Sequence, residues 1–364
     1  MVLPRWYLYS RKHQGDKGSA SRQEGQKPIQ IWARVHLAVP SEPHKPLSNR
    51  YFQIFVIYLG QVIKYCGGFC VVFPYTTPSG KYAVRCWHAE VKDAKDRTQK
   101  IAAALKMTSL PYFVGFEYVN DGILTRMGKQ PIVLMDWVEA RPIKMYIAQI
   151  LGNKSKLEAL AANFLKMVSD LHEENFSHGD LQHGNIMVRD EGILVLVYYD
   201  SMFVPGLEDK DDEIKGLEGY QCDARWKNKK MSPKADYFSE LIIYTTLKAL
   251  IVNPKYWYDL NMSATDTMLF SGEDIKSKGR TKIFQSLRDE NNKELTDLVD
   301  HLCKYMLCSS LDDILPLEKT IISMSDSISS KWGPGTRQMP PKPTSAKSAI
   351  SVNIDQIRSL WSKK

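Results

Sequence analysis

The hydrophobic pattern changes character along the chain. Residues 29–37 and 51–58 are apolar and aromatic enough for strands, and Pro40, Pro43 and Pro46 break the stretch between them. Residues 70–74 and 81–87 are short, apolar and rich in β-branched or aromatic side chains, and Pro78-Ser79-Gly80 between them predicts a turn. Residues 91–106 form a helical candidate with Ile101, Ala104 and Leu105 on its buried side. Residues 132–137 predict another strand. Past Arg141 the period lengthens. Leu157, Leu160, Ala161, Phe164, Leu165, Val168 and Leu171 recur at helical spacing, and Ser155 with Glu158 reads as a capping box at the start. Residues 186–188 and 193–197 predict a strand pair joined through Arg189-Asp190-Glu191-Gly192. Residues 237–251 predict a buried helix, and 295–307 an amphipathic one.

This order predicts an α+β fold, with a smaller strand-rich part at 46–136 and a larger helical part at 137–324. Residues 1–45 read as a basic, partly disordered arm, because 10–28 offer almost nothing to bury. Residues 325–345, with Ser, Gly and Pro, read as a linker. Residues 346–364 regain periodicity through Ile350, Ile354, Ile357 and Trp361, as an amphipathic docking helix would.

Composition refines this picture. With 43% apolar and 25% charged residues over 364 positions, wholesale disorder and collagen-like repeats are excluded. The net charge of +8 points first to nucleic acid. Its distribution points elsewhere, because the excess of Lys and Arg lies in residues 1–30 and 331–364 while 31–330 is slightly acidic. Neither end carries a groove-reading motif, which speaks against nucleic-acid binding. The six cysteines form no C-x-x-C and read as free thiols of a reducing compartment. No apolar run reaches the length of a membrane span, and the first residues do not read as a signal peptide, so a cytoplasmic setting is expected.

The chemistry concentrates in His178-Gly179-Asp180-Leu181-Gln182-His183-Gly184-Asn185. Phosphoryl transfer needs a carboxylate to orient and deprotonate the attacking hydroxyl, and a nearby amide oxygen to hold Mg²⁺. Asp180 and Asn185 on one tight loop can supply both. A polar loop whose Asp and Asn merely cap turns is the alternative. The stretch matches H-x-D-L-x-x-x-N, a kinase catalytic-loop pattern. It is followed by Tyr198-Tyr199-Asp200-Ser201-Met202-Phe203-Val204-Pro205, by Gly219-Tyr220-Gln221, and by Asp236-Tyr237-Phe238-Ser239 opening a buried helix. The order resembles the protein kinase C-lobe. It resembles more closely bacterial kinase-like proteins with H-G-D-L-x-x-x-N, D-Y-D-G-M-F-V-P and Y-Q-H-P-x-R motifs, over about residues 50–320. Aminoglycoside-phosphotransferase-like enzymes share the first motif and generally lack the Tyr220 and Asp236 segments.

The resemblance implies a bilobal protein kinase-like fold that binds ATP and Mg²⁺. It implies that Asp180 is the base, that Asn185 and Asp200 hold the metal, and that Asp236 fixes the catalytic loop through backbone hydrogen bonds. It places Arg85 where kinases have the phosphate-binding lysine, with Asp93 or Asp96 as acidic partner, and Gly67 and Gly68 in a degraded glycine-rich loop. Backbone groups of the hinge around Asp136, Trp137 and Val138 would meet adenine. The chain departs from the pattern at three places. Arg85 replaces lysine, Tyr198 stands at the usual metal-binding aspartate, and Cys222-Asp223 replaces His-Pro.

Residues 202–219 contain no Ser, Thr or Tyr, and Gly179 replaces the arginine that would pair with a phosphorylated side chain. They carry instead Glu208, Asp209, Asp211, Asp212 and Glu213, which read either as a solvated acidic loop or as a permanent acidic segment for a basic partner. Three functions follow from these residues. One is a Ser/Thr-type protein kinase-like phosphotransferase acting on a protein substrate. Another is a pseudokinase scaffold that works through a docking partner. The third is a small-molecule kinase of the aminoglycoside type. Oligomeric state is open.

Overall fold

The structure, a computed structural model, describes residues 36–38, 51–53, 57–58, 61–62 and 65–66, and 70–329 apart from 79, 88–92 and 126–127. The N-terminal arm but for three residues, most of the expected 325–345 linker, the expected C-terminal docking helix, Gly67 and Gly68 lie outside the described residues, and a helix over Leu317–Ser329 takes up the first residues of that linker. Contacts separate Met1–Met324 from Ser325–Lys364, so the strands and helices around the site belong to one unit.

Two short antiparallel pairs come first, β1 (His36–Ala38) with β2 (Tyr51–Gln53) and β3 (Ile57–Tyr58) with β4 (Gln61–Val62). A five-stranded antiparallel sheet follows. Its strands are β5 (Tyr65–Cys66), β6 (Cys70–Thr77), β7 (Gly80–Trp87), β8 (Phe116–Thr125) and β9 (Gly128–Asp136), in the order β5-β6-β7-β9-β8. β6 and β7 are the strands expected on either side of the turn at Pro78. β8 was not expected. Its sequence is interrupted by Asn120 and Asp121, and its register with β9 shifts between Val119 and Ile123, so no clean alternation marks it. Tyr75, Val84, Cys86, Ile123 and Ile132 form a small core on one face of this sheet.

Helix α1 (Ala94–Met107) lies between β7 and β8. It begins later than the periodicity predicts, because Asp93 takes a left-handed conformation with φ 58°. Ile101 is buried on the expected side, with Ala104 and Leu105 packed at the margin of the main core.

The helical part opens with β10 (Arg141–Pro142) and α2 (Ile143–Ile150), then α3 (Lys154–Glu173). Asn153, not Ser155, caps α3, accepting the Lys156 N–H at 3.0 Å. Asn is as strong a cap as Ser, and it stands one residue ahead of the helix, so the expected box at Ser155 falls inside the first turn. β11 (Ile186–Val188) and β12 (Leu194–Leu196) form the expected antiparallel pair beside β10. There follow α4 (Asp223–Lys227), α5 (Tyr237–Val252), α6 (Tyr256–Asp259), α7 (Gly272–Lys276), α8 (Lys282–Asp289), α9 (Lys293–Tyr305) and α10 (Leu317–Ser329). α5 is buried nearly all round, between α3 and α9, which explains why its sequence is apolar on every face.

One charged cluster ties three helices together in this interior. His172 of α3 contacts Glu240 of α5 at 2.8 Å through Nε2 and Glu318 of α10 at 3.0 Å through Nδ1. Burial alone would push the imidazole down. The two carboxylates outweigh it and hold its pKa up at about 10. Among the described residues no helix is long and apolar enough to cross a membrane.

Candidate functional site

The loop from Ser177 to Asn185 enters from α3 and leaves into β11, so both of its ends are anchored in the core. Ser177 pairs with Phe203 in an isolated antiparallel bridge. Asp236, at the start of α5 and only 1% exposed, makes no cap bond to its own helix. Its carboxylate instead accepts the N–H of His178 through Oδ2 and the N–H of Gly179 through Oδ1 at 3.0 Å. That is the arrangement expected of it. The His178 ring donates from Nε2 to the Val197 carbonyl at 2.9 Å, since a carbonyl can only accept. Gly179 has φ +75°, and a Cβ there would collide with the carbonyl oxygen of Ser201.

Asp180 and Asn185 are brought together. The Asn185 amide donates to the Asp180 carbonyl at 2.7 Å and to its Oδ2 at 2.9 Å. Asp180 Oδ1 is buried with no hydrogen-bond partner. Gly216, with φ +78°, lies directly over that oxygen, so close that a Cβ would overlap it. Burial raises the Asp180 pKa above the usual carboxylate range; His178 and the Asn185 bond pull it back only in part. A raised carboxylate is a better proton acceptor near neutral pH.

Arg85 and Asp200 also meet, though not in the roles expected. Arg85 of β7 is 1% exposed. Its Nη2 pairs with Asp200 Oδ2, and its Nε donates to Cys70 Sγ at 2.9 Å. The acidic partner of Arg85 is therefore Asp200, not Asp93 or Asp96 of the following helix. Those two pair with Lys210, at 3.3 and 2.7 Å. Tyr198, at the position of the missing aspartate, is left-handed with φ 67° and 39% exposed. Asp136 ends β9. Its N–H is engaged by the Gly115 carbonyl and its Oδ2 by the Gly115 N–H, both at 3.0 Å. Trp137 N–H donates to the Lys81 carbonyl at 3.0 Å, and Val138 packs at the margin of the core.

The acidic segment is neither wholly solvated nor wholly free for a partner. Asp212 pairs with the buried Arg225 of α4 and with Lys215 at 2.9 Å. Asp211 pairs with Lys230 at 2.8 Å. Glu208 accepts the Gly206 N–H. Ser201 and Tyr220, the nearest hydroxyls on either side, are 5% and 1% exposed, so neither is open to modification in this state. Arg225 was not singled out from the sequence. Its signal was the arginine that closes the Tyr220-to-Arg225 stretch.

A cavity of about 420 Å³ lies elsewhere, between α2, α3 and the Asp190–Gly192 turn, with Arg141, Tyr146, Lys156 and Asn163 in its wall. None of the expected site residues lines it. Among the described residues no cluster of three or more His, Cys, Asp or Glu could hold a metal ion. Of the two side chains expected to hold a metal, Asp200 is engaged by Arg85 and Asn185 by Asp180. Cys86, Cys222, Cys303 and Cys308 are free thiols. In comparisons with known proteins, no family model matches the chain and no curated protein matches it.

Proposed function

We propose that the chain is an ATP- and Mg²⁺-dependent phosphotransferase of the protein kinase type, bilobal, cytoplasmic, and directed at Ser/Thr hydroxyls of a protein substrate. The observation that carries this reading is the Asp180–Asn185 pair on a loop whose backbone is fixed by Asp236. Asp180 Oδ1 is an acceptor without a partner, and it meets an attacking hydroxyl once Gly216 moves off it. Asn185 spends its N–H on Asp180, so its Oδ1 remains as an oxygen donor for a metal. Two protein oxygens suit Mg²⁺, which keeps several waters and takes the rest of its shell from phosphates. When bound, the ion neutralises charge developing on the β and γ phosphates. Arg85 contributes a phosphate contact by sharing its guanidinium between Asp200 and the nucleotide. The Asp136 carbonyl and Val138 receive the adenine.

A second reading, a pseudokinase scaffold, is favoured by two observations. Arg85 and Asp200 neutralise each other, and Tyr198 replaces the other acidic ligand. Two measurements decide between them. Thermal stability is followed with ATP, with and without Mg²⁺, for the natural chain and for Arg85→Ala. γ-Phosphate transfer is then assayed with Asp180→Ala as control. An Mg²⁺-dependent shift with transfer abolished by Asp180→Ala supports the enzyme; neither effect leaves the scaffold. A large gain in Mg²⁺ affinity in Tyr198→Asp identifies position 198 as the lost ligand site.

A further inference from the structure

The stretch 202–219 lacks any residue that a kinase could phosphorylate, and the loop lacks the arginine that would receive the phosphate. The segment is nonetheless tied to the loop. Arg225, 1% exposed, donates from Nη2 to the Gly179 carbonyl and to Asp212 Oδ1, both at 3.1 Å. Its Nη1 forms a second contact with Asp212 Oδ2. Asp212 is itself 8% exposed, and its N–H donates to the Lys229 carbonyl at 2.9 Å. The two neighbours on its N-terminal side are fastened as well. The Asp211 carbonyl accepts Arg97 Nη2 of α1 at 2.7 Å, and Lys210 pairs with Asp93 and Asp96. Three consecutive residues thus connect α1, α4 and the catalytic loop.

We infer that Asp212 and Arg225 form a built-in clasp that holds the activation segment in its working position without any modification, a regulatory feature that rests on the proposed reading of Asp180. The carboxylate of Asp212 stands in for a phosphate, as an anion within the segment itself. The cation has moved from the loop to α4 and reaches back to the loop's backbone. Position 179 cannot carry the cation, because a Cβ there meets the Ser201 carbonyl. Arg225 touches no reacting atom and is a positioning residue. A forked guanidinium suits this geometry because it can serve a carboxylate and a carbonyl together.

The test follows amide hydrogen exchange in the full chain, without substrate, for Asp212→Asn, Arg225→Gln and the conservative Asp212→Glu. Exchange at 207–217 should speed up about tenfold or more in the first two, stay close to natural in Asp212→Glu, and remain unchanged in α5 and α9. Phosphotransfer, measured in parallel, should lose kcat in the first two with KM for ATP unchanged, and recover in Asp212→Glu. Unchanged exchange at 207–217 overturns the clasp. So does an equal rise in α5 and α9, which would make the pair a general packing element. Should the natural chain transfer no phosphate while Asp212→Asn still opens the segment, the clasp stands and the enzymatic reading of the site falls.

Discussion

Around Asp180 the holding is done by backbone, whereas around Arg85 it is done by one long side chain. The loop that carries Asp180 is fixed by two main-chain N–H groups on Asp236, by the bridge from Ser177 to Phe203, and by a histidine ring on a main-chain carbonyl. The strand side contributes a guanidinium that crosses to Asp200 and also touches a thiol. The loop's geometry is independent of what binds, because its donors are part of the fold. The Arg85–Asp200 pair has no such independence. A phosphate or a metal bound there would compete for its two charges directly, and either would change what the other side chain faces. The loop is preformed; the strand side is a pair that any charged ligand bound there would have to rearrange.

The sharpest way to break this comparison is to disable the loop chemically and leave its shape. If the chain is the proposed phosphotransferase, Asp180→Asn should lower transfer by about 10²–10⁴-fold with the melting temperature nearly unchanged, since only the proton acceptor is lost. Breaking the shape is the next largest effect. Asp236→Ala leaves two buried N–H groups without an acceptor, and urea unfolding should report a loss of about 3–5 kcal/mol. On the strand side the penalty should be smaller, because Asp200 can still reach water. Arg85→Met should cost about 2–3 kcal/mol, and adding Asp200→Asn should recover most of it, a coupling that no loop double variant would give.

The helical interior offers a pH test far from both sides. His172 sits at about 10 against an ordinary value of 6.5. Its contribution is complete below about 6.5 and is lost as pH rises through about 10. Burial raises Glu240 as well, which costs stability above its own ordinary range and offsets part of the gain. His172→Gln should therefore be less stable by about 2 kcal/mol at pH 7, with the gap closing toward pH 10.5 in thermal melts. The smallest effect is expected at the exposed edge of the acidic segment. Lys230→Ala removes the ion pair to Asp211 and should change stability by no more than about 1 kcal/mol.

Much of the loop side could be read from the sequence, because it is written in short-range order. The spacing of Asp180 and Asn185 and the aspartate opening a buried helix are local facts, and the structure brings all three together. The apolar period of α3 was equally plain, although its cap was not, since Asn153 and Ser155 are both competent caps and only the backbone decides between them. The strand side resisted reading for a physical reason. Which acid faces Arg85 depends on contacts between residues far apart in the chain. Asp93 and Asp96 are near in sequence, but Lys210 claims them, and Asp200 reaches Arg85 from beyond β12. β8 was hidden by its own irregularity. Arg225 closes the Tyr220-to-Arg225 stretch, but its burial and its reach to Asp212 depend on contacts that the stretch itself does not encode.

Gly216 gives the site a handedness. Its φ of +78° and the nearness of Asp180 Oδ1 act on the same hydrogen atom, the one an L-residue would replace with carbon. Every natural substitution at this position therefore meets both a torsional penalty and a collision. A mirror-image residue meets neither of these two obstacles, because its methyl group replaces the other hydrogen and its preferred φ is positive. An L side chain is what position 216 excludes, and a semisynthetic chain carrying D-alanine there would separate chirality from bulk.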